Sequence, residues 1–344
     1  MSLPSPAEDA EESAVDTFVG CVLELRYRVE EKLGEGGLGT VYRAQHLKLA
    51  RRVAIKVLRD DLRGIPQIRA RFEREVKALS SLSHPNVVTI TDFGISDGIP
   101  FLVMELAEGI ELAKMVGEPL PPARALSIIR QILASLAYAH ERDVVHRDLK
   151  PANVIVRMLP DGRDHVTVLD FGLAKFVGDD AGADLTRSGL VVGTPAYMPP
   201  EQMAAGARKA DARSDLYAAG LIMFELLAGR RPFQFEEPAD LLRAHLVMQP
   251  PSLAEALSAG WVDPRVESIL TRALAKAPDE RFQSAKEMID AIDALPADGL
   301  VRGGTGPRDG RKDSTRPARP TPISAEARAS RSRTAERARS MGTG

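Results

Sequence analysis

The amino-acid sequence predicts an α+β protein of two lobes, a small β-rich lobe followed by a larger helical one, with a cleft between them. The chain has 344 residues, of which 44% are hydrophobic and 27% charged, the profile of an ordinary globular protein. Short β-branched runs characterise residues 22–106, whereas apolar residues at helical spacing dominate residues 111–296. We therefore place the two lobes at residues 21–107 and 108–296.

Composition and charge exclude several classes of protein. The single cysteine, Cys21, excludes an intramolecular disulfide and a cysteine-rich zinc module. The net charge of −2 gives no reason to expect nucleic acid as a partner. The longest apolar run, residues 216–228, is interrupted by Glu225 and is shorter than the roughly 20 residues of a membrane span. Residues 1–16 hold five acidic and no basic residues, unlike a secretory signal, so we expect a cytoplasmic protein.

Both ends of the chain are expected to be disordered. Residues 1–20 form an acidic extension. Residues 297–344 carry ten Arg, one Lys and five acidic residues, a net charge of +6, with few large apolar side chains. Such segments cannot bury enough surface to offset the entropy cost of ordering them.

The first lobe is expected to contain strands at residues 53–57, 87–90 and 101–106, with one helix at residues 67–82. Before them, residues 34–41 contain the spacing G-x-G-x-x-G, which an ordinary hairpin turn also explains. A dinucleotide-binding loop would continue into a helix, but residues 40–44 are strand-like. We therefore expect a hairpin whose backbone can approach phosphate groups, because glycine has no β-carbon to stand in the way.

A lysine interrupts the apolar strand at residues 53–57. A lysine among buried positions needs an anion to offset its desolvation, although an exposed strand face would remove that need. Glu75, in the expected helix, is the best candidate partner for Lys56, although its charged neighbours also suit a solvated helix face.

The second lobe is expected to contain a helix around residues 128–136 and a buried helix at residues 216–228. Between them lie two polar motifs. Residues 146–153 read His-Arg-Asp-Leu-Lys-Pro-Ala-Asn, and Asp170-Phe171-Gly172 follows a strand-like run. Carboxylate and amide oxygens that converge near a phosphate site suit hard divalent cations.

These motifs, in this order and spacing, resemble the Hanks-type, eukaryotic-like Ser/Thr protein kinases of bacteria. The resemblance extends over residues 27–295 and includes Gly193-Thr194-Pro195 and Pro200-Glu201. It implies the bilobal protein kinase fold and transfer of the γ-phosphate of ATP to Ser or Thr hydroxyls of protein substrates. Pro199 stands where most relatives have alanine, a change that we expect the fold to tolerate.

The resemblance also implies a role for each site residue. Asp148 would accept the proton of the substrate hydroxyl, and Lys150 would stabilise the transferred phosphate. Asn153 and Asp170 would hold Mg²⁺ or Mn²⁺. The ATP-binding residues would be Leu33, Gly34, Gly36, Gly39, Val41, Ala54, Lys56 with its partner Glu75, the gatekeeper Met104, Glu105 and Ala107 of the hinge, and Ile155.

Other matching positions are expected to be structural. The regulatory spine of the family would comprise Leu79, Ile90, His146 and Phe171. A buried ion pair would join Glu201 to Arg281, and Asp215 would brace the catalytic loop.

The candidate phosphorylation sites lie in the segment before Thr194. Thr186 and Ser188 occupy positions at which bacterial relatives carry activating phosphates, and Arg147 could pair with such a phosphate. A dimer would serve autophosphorylation between two copies.

Two alternatives belong to other classes. A pseudokinase scaffold would bind nucleotide without turnover, but Lys56, Asp148, Asn153 and Asp170 are all present. A small-molecule kinase would generally lack the motifs at residues 193–194 and 200–201.

Overall fold

The computed structural model describes residues 18–36, 39–58, 76–77, 79–172, 195–205, 210–257, 261–296 and 300–302. Glu75, Thr186 and Ser188 lie outside these ranges, as does most of the expected helix at residues 67–82.

Within the described residues, the first lobe is an antiparallel sheet with the strand order β1-β2-β3-β4-β6-β5. Its strands are β1 (Val22–Leu23), β2 (Tyr27–Gly36), β3 (Gly39–His46), β4 (Arg51–Leu58), β5 (Ile90–Ser96) and β6 (Ile99–Glu105).

The central strand β4 is apolar on both faces because both faces are covered. Val53, Ile55 and Val57 pack into one cluster of buried side chains, with Tyr42 and Phe101. Ala54 and Leu58 face the opposite way and join the main core. Side chains alternate along a strand, so Lys56 lies on the same side as Ala54. This side faces the second lobe.

The second lobe combines helices with short strands. The helices are α1 (Pro122–His140), α2 (Pro200–Ala205), α3 (Ala212–Ala228), α4 (Pro238–Val247), α5 (Leu253–Leu257), α6 (Pro264–Ala273) and α7 (Ala285–Asp293). The strands β7 (Ile110–Glu111), β8 (Val154–Met158) and β9 (Asp164–Val168) form a sheet in that order, and β10 (Trp261–Val262) pairs with β11 (Val301–Arg302).

Helix α3 lies at the centre of this lobe, and every side chain from residue 214 to 228 is buried. Its start is capped by Asp211, whose side chain accepts from the backbone of Arg213, and it ends at Gly229 in the left-handed conformation (φ 70°). A β-carbon on Gly220 would lie 2.8 Å from that of Ala273, so α3 and α6 approach each other closely. The predicted buried helix and the α+β class are confirmed.

The described residues include a few at the inner end of each terminal extension. The ring of Phe18 lies 5.7 Å from that of Tyr42, and the amide of Gly20 donates to the carbonyl of Val29. Leu300 is buried, and the next two residues form β11. Residues 18–20 and 300–302 thus join the two lobes through backbone pairing and buried apolar groups, whereas the remaining residues of both extensions lie outside the described ranges, where disorder stays a prediction.

The predicted strand at residues 87–90 is only partly correct. Strand β5 begins at Ile90, whereas Val87 forms a parallel bridge with Val168 of the second lobe. Among the described residues, no helix has the length and apolar character needed to cross a bilayer.

Candidate active site

The start of the loop at residues 146–153 is fixed by hydrogen bonds to one buried carboxylate. Asp215, in the first turn of α3, accepts hydrogen bonds from the amides of His146 (2.8 Å) and Arg147 (2.9 Å). Its Oδ2 also accepts from Nε2 of His140, at 2.8 Å. Arg147 has a left-handed backbone (φ 68°), which is strained for a side chain of this size. The bonds to Asp215 fix that conformation.

Asp148 projects from this loop with its carboxylate half-exposed. Nζ of Lys150 lies 2.7 Å from Asp148 Oδ2. Asn153 donates through Nδ2 to the carbonyl of Asp148 at 2.7 Å and, more weakly, to its carboxylate. Among the described residues, nothing donates to Oδ1 of Asn153, so that oxygen is available to a cation.

Asp170 follows directly after β9 and Leu169, also in the left-handed conformation (φ 58°). Nζ of Lys56 lies 2.7 Å from Asp170 Oδ2, and the lysine is only 6% exposed. The burial explains the contact, because a desolvated ammonium group needs a negative partner. The expected partner Glu75 lies outside the described residues, and the Lys56–Asp170 contact was not predicted.

The two motifs are joined through a histidine. Nε2 of His146 donates to the carbonyl of Leu169 at 2.8 Å, and its Nδ1 accepts from the amide of Asp148. The backbone of Leu169 in turn donates to the carbonyl of Asn153. Asp148, Asn153 and Asp170 therefore belong to one hydrogen-bonded unit. The ring of Phe171 lies 4.7 Å from that of His146.

Gly34, Gly36 and Gly39, the described glycines of the hairpin, are of two kinds. A β-carbon on Gly34 or Gly36 would meet no atom within 4 Å, whereas one on Gly39 would lie 2.0 Å from the carbonyl oxygen of Val57. The first two therefore leave open space beside the backbone, and the third is required for strand packing.

The residues expected around adenine lie on strands of both lobes and in the connection between the lobes. Ala54 and Met104 are buried cross-strand neighbours on β4 and β6. Leu33 is exposed on β2, and Val41 is partly buried on β3. Ile155 lies on β8, close enough to Gly109 that a β-carbon there would be 2.8 Å from its side chain. Glu105 is exposed at the end of β6, and Ala107 follows in the hinge.

A cavity lies behind Met104. It is lined by apolar side chains from both lobes and by Asp170 and Phe171. Leu79 and Ile90, which the sequence assigned to a structural spine with Phe171, are among the lining residues.

The expected ion pair between Glu201 and Arg281 is present and bidentate, with both distances 2.8 Å. The guanidinium also donates to the carbonyls of Ala275, Lys276 and Arg213. Burial alone would raise the pKa of Glu201, but hydrogen bonds from Arg281 and Ser214 outweigh it and hold the pKa below its usual value. This pair ties α2 to the segment before α7.

Three contributing residues carry no signal in the sequence. Asn86 and Gln131 bind the backbone of β9, and His140 binds Asp215. Each lies in an ordinary local context, and only the tertiary structure brings it to the site.

Comparisons with known proteins agree with this architecture. A profile of the family described as "Protein kinase domain" matches residues 27–291. The chain is 41% identical over 285 residues to the Serine/threonine-protein kinase pkn3 of Myxococcus xanthus, a match that covers 81% of this chain and 52% of that protein. It is 38% identical over 289 residues to the Serine/threonine-protein kinase PrkC of Bacillus subtilis, with 82% and 42% covered. The chain thus spans about half or less of the length of these relatives.

The solved kinase domain of Mycobacterium tuberculosis PknI superposes with a TM-score of 0.60 at 30% identity, covering 80% of this chain and 97% of that domain. The family match begins at the first residue of β2 and ends within α7, so it includes both lobes and the cleft between them. The chain therefore belongs to the protein kinase domain family.

Proposed function

We propose that the chain is a protein serine/threonine kinase, which transfers the γ-phosphate of ATP to hydroxyls of protein substrates. One observation carries the proposal. Lys56 pairs with Asp170, Asp148 contacts Lys150 and Asn153, and His146, whose amide binds Asp215, joins the two motifs that carry these side chains. Protein kinases rely on such positioning and electrostatics, because little covalent chemistry is left to the protein.

Asp148 is the residue that would receive the substrate. Its carboxylate is reachable from solvent, with 46% of the side chain exposed, and its orientation is fixed by Lys150 and Asn153. It would accept the hydroxyl proton and aim the oxygen at the γ-phosphate. Lys150, beside it, would balance negative charge on the phosphate during transfer.

The donor set fits a hard divalent cation, which we propose to be Mg²⁺ or Mn²⁺. Asp170 and the available Oδ1 of Asn153 are oxygen ligands of the kind that such cations prefer. When bound, the cation would neutralise charge on the β- and γ-phosphates.

The first lobe would hold the nucleotide. The open backbone at Gly34 and Gly36 leaves room for phosphates, and the buried ammonium of Lys56 would bind the α- and β-phosphates. Ala54, Met104 and Ile155 offer apolar surface for adenine, with Leu33 and Val41 above it. Since ATP is the donor, we place the activity in the cytoplasm.

Phosphate transfer tests the proposal directly. The purified chain, incubated with labelled ATP and Mg²⁺ or Mn²⁺, should phosphorylate itself or a generic protein substrate. Asp148→Asn should retain nucleotide binding and the melting temperature but lose at least about 100-fold in rate. Asp143→Asn is the matched control, since Asp143 lies exposed in the same connection and its side chain forms no hydrogen bond or ion pair with a described residue. An Asp148→Asn variant as active as the control would contradict the assignment. Nucleotide binding without turnover in the unchanged protein would favour the pseudokinase.

We also propose that autophosphorylation at Thr186, Ser188 or both activates the enzyme. The support is chemical: a phosphate there could form charge-assisted hydrogen bonds to Arg147, next to Asp148. The unchanged protein should lose activity on phosphatase treatment, and Thr186→Ala with Ser188→Ala should match the treated sample. Equal rates in all three samples would place the switch elsewhere. A rate of autophosphorylation that rises with the square of protein concentration would support transfer between two copies.

A further inference from the structure

The short segment at residues 86–88 crosses from the first lobe to the second and extends the sheet of the second lobe. The amide of Val168 donates to the carbonyl of Asn86 at 2.9 Å, and the amide of Val88 donates to the carbonyl of Val168 at 3.0 Å. The segment thus runs parallel to β9 along the edge that β8 leaves free. Strand β5 of the first lobe begins two residues later, at Ile90.

Two amide side chains lock this junction. Asn86 is buried and donates through Nδ2 to the carbonyl of Val166 at 2.7 Å and to Oε1 of Gln131 at 3.1 Å. Gln131, in the middle of α1, also accepts from the amide of Val166 at 3.0 Å and donates to the carbonyl of Asp164 at 2.9 Å. One carboxamide therefore holds both β9 and the segment from the first lobe.

The strand held in this way leads to the metal-ligand candidate. Only Leu169 separates the end of β9 from Asp170. Val87 and Val88 line the same cavity as Asp170 and Phe171. A shift of the segment can therefore displace Asp170 in two ways, through β9 and through the packing around the cavity. Among the described residues, only the carboxamides of Asn86 and Gln131 form hydrogen bonds that connect β9, α1 and the segment from the first lobe.

We propose that Gln131, together with Asn86, is a positioning residue that sets where Asp170 stands relative to the first lobe and Lys56. The proposal rests on the proposed function, because Asp170 is taken as a ligand of the cation that accompanies ATP. Loss of the carboxamide leaves α1, β9 and the segment folded but frees β9 to move against the first lobe. Affinity for the cation–nucleotide pair then falls, whereas affinity for the protein substrate does not.

The decisive variant is Gln131→Met, which keeps the length of the side chain and removes its polar atoms. Arg124→Met is the matched control. Arg124 lies two turns earlier on α1. Its guanidinium donates to both carboxylate oxygens of Asp164, the first residue of β9, at 2.8 and 3.0 Å. Both variants remove hydrogen bonds between the same helix and the same strand, but only Gln131 reaches the segment from the first lobe.

Binding is measured without turnover, by titration of Mn²⁺ with a non-hydrolysable ATP analogue and paramagnetic detection of the bound ion. Gln131→Met should weaken binding about fivefold or more and raise the KM for ATP in the kinase assay, with an unchanged KM for protein substrate. Arg124→Met should lower the melting temperature and leave the affinity unchanged. Asn86→Ala should weaken binding in the same way, and the double variant should be no weaker than either single one.

Unchanged affinity in both Gln131→Met and Asn86→Ala would overturn the inference, as would an equal loss in Arg124→Met. The use of Asn86→Ala keeps the test available if Gln131→Met does not fold. Because the titration requires no catalysis, a chain that binds the pair but transfers no phosphate refutes the proposed function alone.

Discussion

Gly34 and Gly39 in the hairpin of β2 and β3 differ in what an added β-carbon would meet. Gly39 pairs with Leu58 in the strand ladder and faces the carbonyl of Val57, whereas Gly34 faces open space. The sequence motif treats these positions alike, because it records only the absence of a side chain. The structure separates a glycine needed for folding from one whose surroundings leave room for a ligand.

Alanine substitution should separate these two roles. Gly39→Ala should lower the free energy of unfolding by about 2 kcal/mol, because Val57 must move to admit the β-carbon. Gly34→Ala should leave stability unchanged and raise the KM for ATP several-fold. Thermal melting and steady-state kinetics measure the two effects. A Gly39→Ala variant with the melting temperature of the unchanged protein would show that β4 moves away from the added β-carbon at little energetic cost.

At the scale of elements, the ion pair of Glu201 and Arg281 fixes α2 against the rest of the second lobe. Arg281 is 1% exposed and donates to five oxygen atoms on three segments. Removing one partner leaves the other charge buried and unpaired, which costs more than the pair itself contributes.

Glu201→Gln should therefore lower the free energy of unfolding by about 3 kcal/mol. Asp293→Asn provides the control. Its bidentate pair with Arg130 joins α1 to α7, but both side chains are about half-exposed. We expect that change to cost about 0.5 kcal/mol. Urea unfolding measures both. Similar decreases in the free energy of unfolding for the two variants would show that burial does not increase the cost of breaking the Glu201–Arg281 pair.

Prediction from sequence is most direct where a motif is contiguous in the chain. Residues 146–153 form one loop, residues 170–172 follow β9, and the apolar, β-branched run around Lys56 identifies its strand. The segment at residues 87–90 shows the limit of such patterns. Its β-branched residues predict an extended backbone, but no local signal says that Val87 pairs with the second lobe rather than the first. The partners of Asn86 and Gln131 depend on that long-range contact and were missed for the same reason.

For the whole molecule, one buried histidine links stability to pH. His245, on α4, is fully buried between Tyr217 and Phe233, with Nδ1 3.0 Å from the Tyr217 hydroxyl. Its pKa is lowered to about 4, chiefly by burial and in smaller part by the nearby cations Lys276 and Arg231. Between these two pKa values, His245 is neutral in the folded protein and protonated in the unfolded chain.

The sign follows from this difference. Above the unfolded pKa of about 6.5 both states are neutral at His245, and its contribution to stability is fully present. As the pH falls from about 6.5 toward 4, His245 binds a proton in the unfolded state but not in the folded state. The free energy of unfolding therefore decreases by about 3 kcal/mol. His245→Gln should remove this part of the acid sensitivity. Melting temperatures at pH 7.5 and 5 test it, and parallel losses in variant and unchanged protein would exclude His245 as a source.

The central position of α3 has a consequence for the order in which the chain is made. One side of α3 packs on α1, which precedes it, but its contact with α6 awaits residues 264–273. Helix α6 ends 45 residues after α3 does. At a synthesis rate of roughly 5–20 residues per second, the surface of α3 that α6 covers stays exposed for about 2–9 seconds. Nascent chains that stall between residues 228 and 264 should therefore bind chaperones that recognise exposed apolar helices, whereas chains released after residue 302 should not.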